Sequence, residues 1–159
     1  MSELSNFIYL SRERLIELEK ELIELKTKGR KNMADRIAEA RAHGDLSENA
    51  EYDAAKEEQG LLELRISKLE EVLSKAQIID TKSMAKDKVH ILATVKVKNL
   101  NNKKEFQYTL VSPEEADLQK KKIAYTSPVG KALMGSKEGD TVVADVPAGK
   151  IKFEILSIE

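Results

Sequence analysis

The residues of this chain best suited to chemistry are two carboxylates, Asp45 and Glu48, in the stretch Gly44-Asp45-Leu46-Ser47-Glu48-Asn49-Ala50-Glu51-Tyr52. On the first turn of a helix, residues three apart bring their Cβ atoms to roughly 5–6 Å. Two carboxylates at that spacing can share one hard cation or its bound waters. Magnesium takes only about one or two protein carboxylates and keeps several waters, so the pair would complete a site provided by another molecule. The same spacing has a second reading. Asp-x-x-Glu ahead of a helix is a capping box, with Asp45 accepting from the backbone of residue 48 and Glu48 reaching back. Acidic side chains in a first turn also suit the helix dipole. The residues alone leave both readings open.

What must position the pair is legible on either side of it. Upstream, Ser11 is a plausible N-cap, and Leu15, Leu18, Leu22 and Leu25 follow at +3, +4 and +3, an a/d seam. Gly29 interrupts, and Met33 and Ile37 resume in +4 steps, a stutter at which local unwinding of a supercoil is expected. His43-Gly44 marks the end, with glycine where a left-handed residue is wanted. Downstream, Tyr52, Ala55, Gln59, Leu62, Ile66, Leu69, Leu73 and Ala76 alternate +3 and +4. Each flank is about 30 residues, a rod on the order of 45 Å. A connection of a few residues forces the two to run antiparallel. The expectation is an α-hairpin over Ser11 to Ala76, with mutually buried seams, charged outer faces and two acids at its tip.

Composition fits a long exposed rod with a modest core: 35% of residues are charged and 4% aromatic. Residues 1–79 hold 13 Lys and Arg against 17 Asp and Glu, and residues 80–159 hold 14 against 11. Neither half is basic enough to mark free DNA binding. There is no cysteine, which excludes disulfides and cysteine metal sites, and the two histidines, His43 and His90, are far apart. No run approaches membrane-spanning length, so a soluble cytoplasmic protein without a membrane partner is expected.

After Asp80 the pattern changes. Val89–Val97 and Glu105–Val111 read as strands around an Asn99-Leu-Asn-Asn102 turn, and Ile123-Ala-Tyr125 suggests another. Ser127-Pro128 opens a short helix through Leu133, ended by Gly135. Thr141–Val146 and Ile151–Ile158 form a last hairpin around Pro147-Ala-Gly149. The fold class is therefore α+β: residues 1–79 a long antiparallel coiled-coil hairpin with an acidic tip, residues 80–159 a small antiparallel β domain with one short helix.

The segment Ala38 to Gln59, AEARAHGDLSENAEYDAAKEEQ, resembles the finger motif of the Gre family, the transcript-cleavage factors of bacterial RNA polymerase. The resemblance covers essentially the whole chain. It takes in Tyr9-Leu10, Ala76-Gln-Ile-Ile-Asp80 and Ser127-Pro-Val-Gly-Lys-Ala-Leu133. It implies a finger that enters the polymerase secondary channel. There Asp45 and Glu48 would help hold a second magnesium ion at the polymerase active centre for cleavage of backtracked RNA. It further implies that Arg41 and Lys56 contact the extruded 3′ RNA, by phosphate neutralisation rather than base reading. Alternatively these two serve a solvated face through pairs such as Arg41 with Asp45 or Asp53 with Lys56. The second half resembles the family's FKBP-like domain, which docks on a coiled coil at the channel rim. Asp117, Ser127 and Pro128 match the docking face, with loop and helix capping as the plainer reading. Ser47 fills a variable slot. The protein would be a monomer and a catalytic cofactor of the polymerase, not an enzyme in its own right.

Two rivals compete with that reading. A channel-binding regulator without cleavage would carry a more aspartate-rich tip than this one. A prolyl isomerase or chaperone would need a pocket walled by aromatics, and the second half offers only Phe106, Tyr108, Tyr125 and Phe153.

Overall fold

The computed structural model describes residues 7–44, 49–82 and 85–159. They divide into two compact units: Glu13–Lys75, and Met1–Arg12 together with Ala76–Glu159.

The first unit is the expected helical hairpin. Its outgoing arm is α1 (Arg12–Glu24), a π-helical turn (Leu25–Gly29) and α2 (Arg30–Ala42), and its returning arm is α3 (Ala50–Ser74). The π turn sits where the apolar spacing stutters, and the spacing explains it. Leu25, Gly29, Met33 and Ile37 step by four three times, so 12 residues must span three turns. An α-helix uses about 10.8 residues for three turns, and a π turn absorbs roughly the one residue of excess. The Thr27 hydroxyl donates to the Ile23 carbonyl at 2.8 Å within this turn. Gly29 lets the arms approach closely, because a Cβ there would lie 3.3 Å from Leu62 Cδ1.

Leu18, Ile37 and Ala40 on one arm and Ala55, Ile66 and Leu69 on the other are buried. Leu15, Leu22, Leu25, Met33, Tyr52, Gln59, Leu62 and Leu73 are half-buried, so the seam read from the sequence is the one that packs. Charged pairs brace the outside. Arg65 grips Glu21 at 2.8 and 3.0 Å. Arg30 grips Glu63 at 3.0 and 2.8 Å. Arg36 pairs with Glu58, and Lys26 with Glu70 at 3.2 Å. Exposed pairs of this kind stabilise little individually, but four along one interface favour a single register.

The second unit begins before the hairpin. β1 (Ile8–Leu10) pairs in parallel with β2 (Ala76–Ile78), Ile8 opposite Ala76. Residues 7–12 therefore group with the β-rich unit, which resumes at Ala76, and Glu13–Lys75 forms the hairpin. The Tyr9 amide donates to the buried Ser112 hydroxyl at 2.9 Å, which ties β1 to the rest of the unit.

The main sheet has the order β5-β4-β3-β7-β6, formed by β3 (Thr94–Asn99), β4 (Glu105–Val111), β5 (Lys122–Ala124), β6 (Thr141–Val146) and β7 (Gly149–Ile158). Alternation sends Val95 and Val97 of β3 into the core and Lys96 outward. They pack with Leu110, Ile123, Ala144, Phe153 and Ile155, and with Leu133 of α4 (Pro128–Leu133).

Two expectations are corrected here. The sheet is not wholly antiparallel, because β5 runs parallel to β4. A parallel neighbour needs a crossover instead of a tight turn, and two 3₁₀ turns, Pro113–Glu115 and Leu118–Lys120, lie in that crossover. Nor is Val89–Val97 one strand. The backbone turns at His90–Ala93, with Leu92 at φ 71° and the Ala93 amide bonded to the His90 carbonyl. Val89 is buried, but its backbone pairs with Gly135 and Ser136 rather than with a strand.

Candidate functional site

The tip is framed by the last turn of α2 and the first turn of α3. His43 and Gly44 close α2, their amides reaching the carbonyls of Ala40 and Arg41 at 3.2 and 3.3 Å. Gly44 takes φ 117°, a conformation cheap only for glycine. Asp45, Leu46, Ser47 and Glu48 follow and lie outside the described residues. α3 then begins at Ala50, with Asn49 in extended conformation as its N-cap and the Asn49 Oδ1 accepting from the Tyr52 amide at 3.0 Å.

This corrects one of the two readings of the acidic pair. A capping box was expected with Asp45 as the cap. The helix starts four residues later, and Asn49 does the capping. A strong N-cap needs no second one, so the first turn of α3 does not call for the two acids.

Three further contacts join the arms beside the tip. The Asn49 Nδ2 donates to the Ala40 carbonyl at 2.5 Å. His43 Nδ1 lies 2.8 Å from Glu51 Oε2. The Arg41 guanidinium lies over the Tyr52 ring, 5.7 Å from its centroid. Such a cation–π contact at an exposed site contributes about 0.5–1 kcal/mol. It also holds Arg41 against the returning arm while leaving it exposed. Lys56 is exposed one turn further along α3 and donates to Gln59 Oε1 at 3.0 Å. Lys56 thus pairs with Gln59, where charge spacing had pointed to Asp53. Asn49 and Tyr52 were not read as functional from sequence. An Asn-x-x-Tyr at a helix start looks like ordinary capping, and nothing in it announces a contact to the other arm.

The β-rich unit holds the second set of predicted residues, and the fold brings all three together. Asp117 Oδ1 accepts from the Gln119 amide at 3.1 Å, capping a 3₁₀ turn. Its backbone is bridged to Lys122 in both directions at 2.9 Å. Ser127 Oγ accepts from the Gly130 amide at 3.1 Å and donates to the Ala124 carbonyl at 2.6 Å. Pro128 takes the first position of α4, where its missing N–H costs nothing. With Tyr108, Leu118, Ile123 and Val129 these residues line an open, mainly apolar groove of about 400 Å³. Leu118 at its lip is 80% exposed, the most exposed of the large apolar side chains described. Burial pushes the Tyr108 hydroxyl above its ordinary pKa, so it stays protonated at neutral pH.

Comparison with known proteins agrees with this layout. The family model "Transcription elongation factor, N-terminal" matches residues 8–78. The model "Transcription elongation factor, GreA/GreB, C-term" matches residues 84–159. Transcription elongation factor GreA of Chlorobaculum parvum is 51% identical over 98% of this chain and 98% of its own length. The GreA of Amoebophilus asiaticus is 51% identical over 94% of this chain and 96% of its own. The chain belongs to the GreA/GreB family of transcription elongation factors. Among solved structures, one of the transcription factor Gfh1 is 26% identical over 96% of this chain and 97% of that one, with a TM-score of 0.48. The N-terminal GreA/GreB match opens at Ile8 and closes at Ile78, the outer ends of the paired strands β1 and β2. No helix among the described residues is long and apolar enough to cross a membrane.

Proposed function

We propose that the chain inserts its hairpin, tip first, into the secondary channel of bacterial RNA polymerase and stimulates the polymerase's own cleavage of backtracked RNA. The observation that carries this reading is the tip itself. Two carboxylates occupy the turn of a long helical hairpin whose returning helix is already capped by Asn49. α3 alone has 25 residues, a rod of about 38 Å, and in the sequence the two acids fall between the two arms. Aspartate and glutamate oxygens are the hard donors that magnesium selects. Asp45 and Glu48 would hold a magnesium ion jointly with the polymerase. Such an ion, when bound, would supply activation of a water for attack on the RNA backbone.

The rest of the chain supports that placement. Arg41 and Lys56 lie on the two arms just behind the tip and would neutralise phosphates near the 3′ end of the backtracked RNA. The groove formed by Asp117, Ser127 and Pro128 would dock on the rim coiled coil of the polymerase. Its apolar lining and the exposed Leu118 suit a helical partner. The protein would act as a monomeric cofactor without an active site of its own.

The test uses Asp45→Asn and Glu48→Gln in the full-length protein. Both variants lose a negative charge. Asn49 supplies the N-cap of α3, so helix content and melting temperature should stay within error of the parent. Release of short 3′ RNA fragments from a halted elongation complex should fall by orders of magnitude, while competition binding to the polymerase persists. Raising magnesium should restore part of the activity. Calorimetry on the isolated protein should detect only weak magnesium binding, because two carboxylates replace too little of the ion's water shell. Normal cleavage by both variants at limiting magnesium would overturn the metal role. Tight magnesium binding without polymerase would overturn the shared site.

A further inference from the structure

We infer that the hairpin carries a joint partway along its length, where the π-helical turn Leu25–Gly29 of the outgoing arm faces residues 59–62 of the returning arm. The inference rests on the channel reading of the hairpin and deepens it, adding a bend between base and tip. Three separate weaknesses fall at this one level.

The first is in the outgoing arm. A π turn interrupts the α-helical ladder over Leu25–Gly29, and such turns are among the few places where helices kink sharply. Inside it the Thr27 hydroxyl donates to the Ile23 carbonyl at 2.8 Å, a back-bond that loosens and bends helices. The second is in the returning arm. Gly60 lies in the interior of α3, where glycine is the poorest residue after proline. Packing does not call for it, because a Cβ at Gly60 would meet no atom within 4 Å. Gly29 differs, since its Cβ would press on Leu62. The local effect of Gly60 is to free the backbone.

The third weakness is in the seam. Leu18 is buried on the base side, Ile37 and Ala40 toward the tip, and Ile66, Leu69 and Ala55 match them on α3. Among the described residues, none between Leu18 and Ile37 is buried, and none between Ala55 and Ile66. The gap holds half-buried Leu22, Leu25, Met33 and Leu62, with the polar Gln59. Arg30 and Glu63 brace it from outside, as an exposed and screened pair. Local opening is cheapest where buried apolar contacts are few. A bend of about 20° there, acting over the roughly 15 Å from Gly60 to the start of α3, moves the end of the arm by about 5 Å. The tip half can thus reorient inside a channel while the base half keeps its place.

Amide hydrogen exchange on the full-length protein, free of polymerase, tests the joint. Protection should reach a minimum at residues 25–31 and 59–64, and rise again toward Ile37 and Ala55 on the tip side. Protection that falls steadily from base to tip would be end fraying, and would overturn the inference. Gly60→Ala adds a methyl group in open space, so the variant folds. It should slow exchange about 4- to 5-fold at 59–64 and equally at 25–31, because the two arms open together. Slowing confined to α3 would be plain helix propensity and would overturn the joint, as would no slowing at all.

On a halted elongation complex, Gly60→Ala should lower the apparent affinity by the same factor, since fewer molecules are in the bent, entry-competent state. The cleavage rate at saturating factor should not change. Unchanged affinity despite slower exchange would overturn the role of the bend in entry. Weaker binding with unchanged exchange would make Gly60 a point of close approach for the polymerase instead, and the joint would fall. The channel reading fails separately: a parent protein that does not compete for the secondary channel would sink it, while the exchange profile still decides the joint.

Discussion

The hairpin and the β-rich unit solve the burial problem in opposite ways. In the hairpin, a unit of 63 residues, six buried side chains among the described residues are strung along a seam, and each apolar layer packs against the layers beside it. In the β-rich unit, ten buried residues from several strands and α4 form one continuous cluster. A one-dimensional seam can be altered at its end without disturbing the other end. A closed core cannot be altered anywhere without consequence for the whole. The contrast bears on where the proposed chemistry sits. Two carboxylates at a hairpin turn can be exchanged, charged or neutralised at almost no cost to the fold. The groove proposed for docking, built from strand edges and a short helix, is inseparable from the core beneath it.

The sharpest way to break that contrast is to open a cavity in each unit. Leu110 and Leu69 are both buried, at 0% and 1% exposure. Leu110→Ala and Leu69→Ala should each cost about 2–5 kcal/mol. The difference lies in where the loss is felt. Leu110→Ala should raise amide exchange across all five strands together. Leu69→Ala should raise it in neighbouring turns of the hairpin and leave the strands protected. Leu73, on the same face but only half-buried, should cost less than Leu69. Exchange that spreads from Leu69→Ala through the β strands would mean the two units fold as one.

A methyl group on α4 probes the coupling of groove to core. A Cβ at Gly130 would collide with the Ala124 carbonyl oxygen and the Tyr125 Cα, both backbone. Backbone cannot move aside cheaply, and overpacking of this sort costs about 1–3 kcal/mol. Gly130→Ala should displace Ser127 and Pro128, weaken polymerase binding and leave the helical signal of the hairpin intact. Full binding by the variant would show that the groove tolerates a shifted α4, and would count against its docking role.

The same contrast decides how much could be read from sequence. The hairpin was legible because its burial is periodic. Even the π turn was foreshadowed by the run of +4 steps from Leu25 to Ile37. In the β-rich unit, β4, α4 and β6 were legible from alternation and from Ser127-Pro128. What escaped was non-local. β1 and β2 are three residues each and find one another across the whole hairpin, with nothing in either segment to announce it. β5 is equally short, and its parallel pairing depends on a crossover whose 3₁₀ turns have no hydrophobic period. Val89–Ala93 looks like strand because its side chains are apolar, while its backbone is set by a positive φ at Leu92. At the proposed site, the acids stand out in the sequence by type and spacing, and they lie outside the described residues. The Asn49 link between the arms was not legible, because its hydrogen bond to the Ala40 carbonyl exists only once the arms are side by side.

The smallest effect, and the one that belongs to the hairpin's exterior alone, is ionic. Arg30 donates two hydrogen bonds to Glu63 across the arms, and these, more than its charge at a distance, hold the Glu63 carboxyl below its ordinary range. Both side chains are well exposed, so water and salt screen the pair. A carboxyl whose pKa is lowered by folding binds fewer protons folded than unfolded, so its contribution rises with pH. That contribution is complete above the ordinary glutamate value of about 4.3 and is lost as pH falls through the lower folded value. Glu63→Gln removes the charge and keeps a side-chain acceptor for one of the two bonds. The melting temperatures of parent and variant should differ slightly at neutral pH in low salt. They should converge at about 1 M salt, where the screening length is about 3 Å, and again on acidification below the glutamate range. A difference that persists in acid would mean Glu63 acts through packing rather than charge. A difference that grew in acid would reverse the assigned direction of its shift. The β-rich unit, whose stability comes from a closed core, should show no change in its own amide protection in any of these conditions.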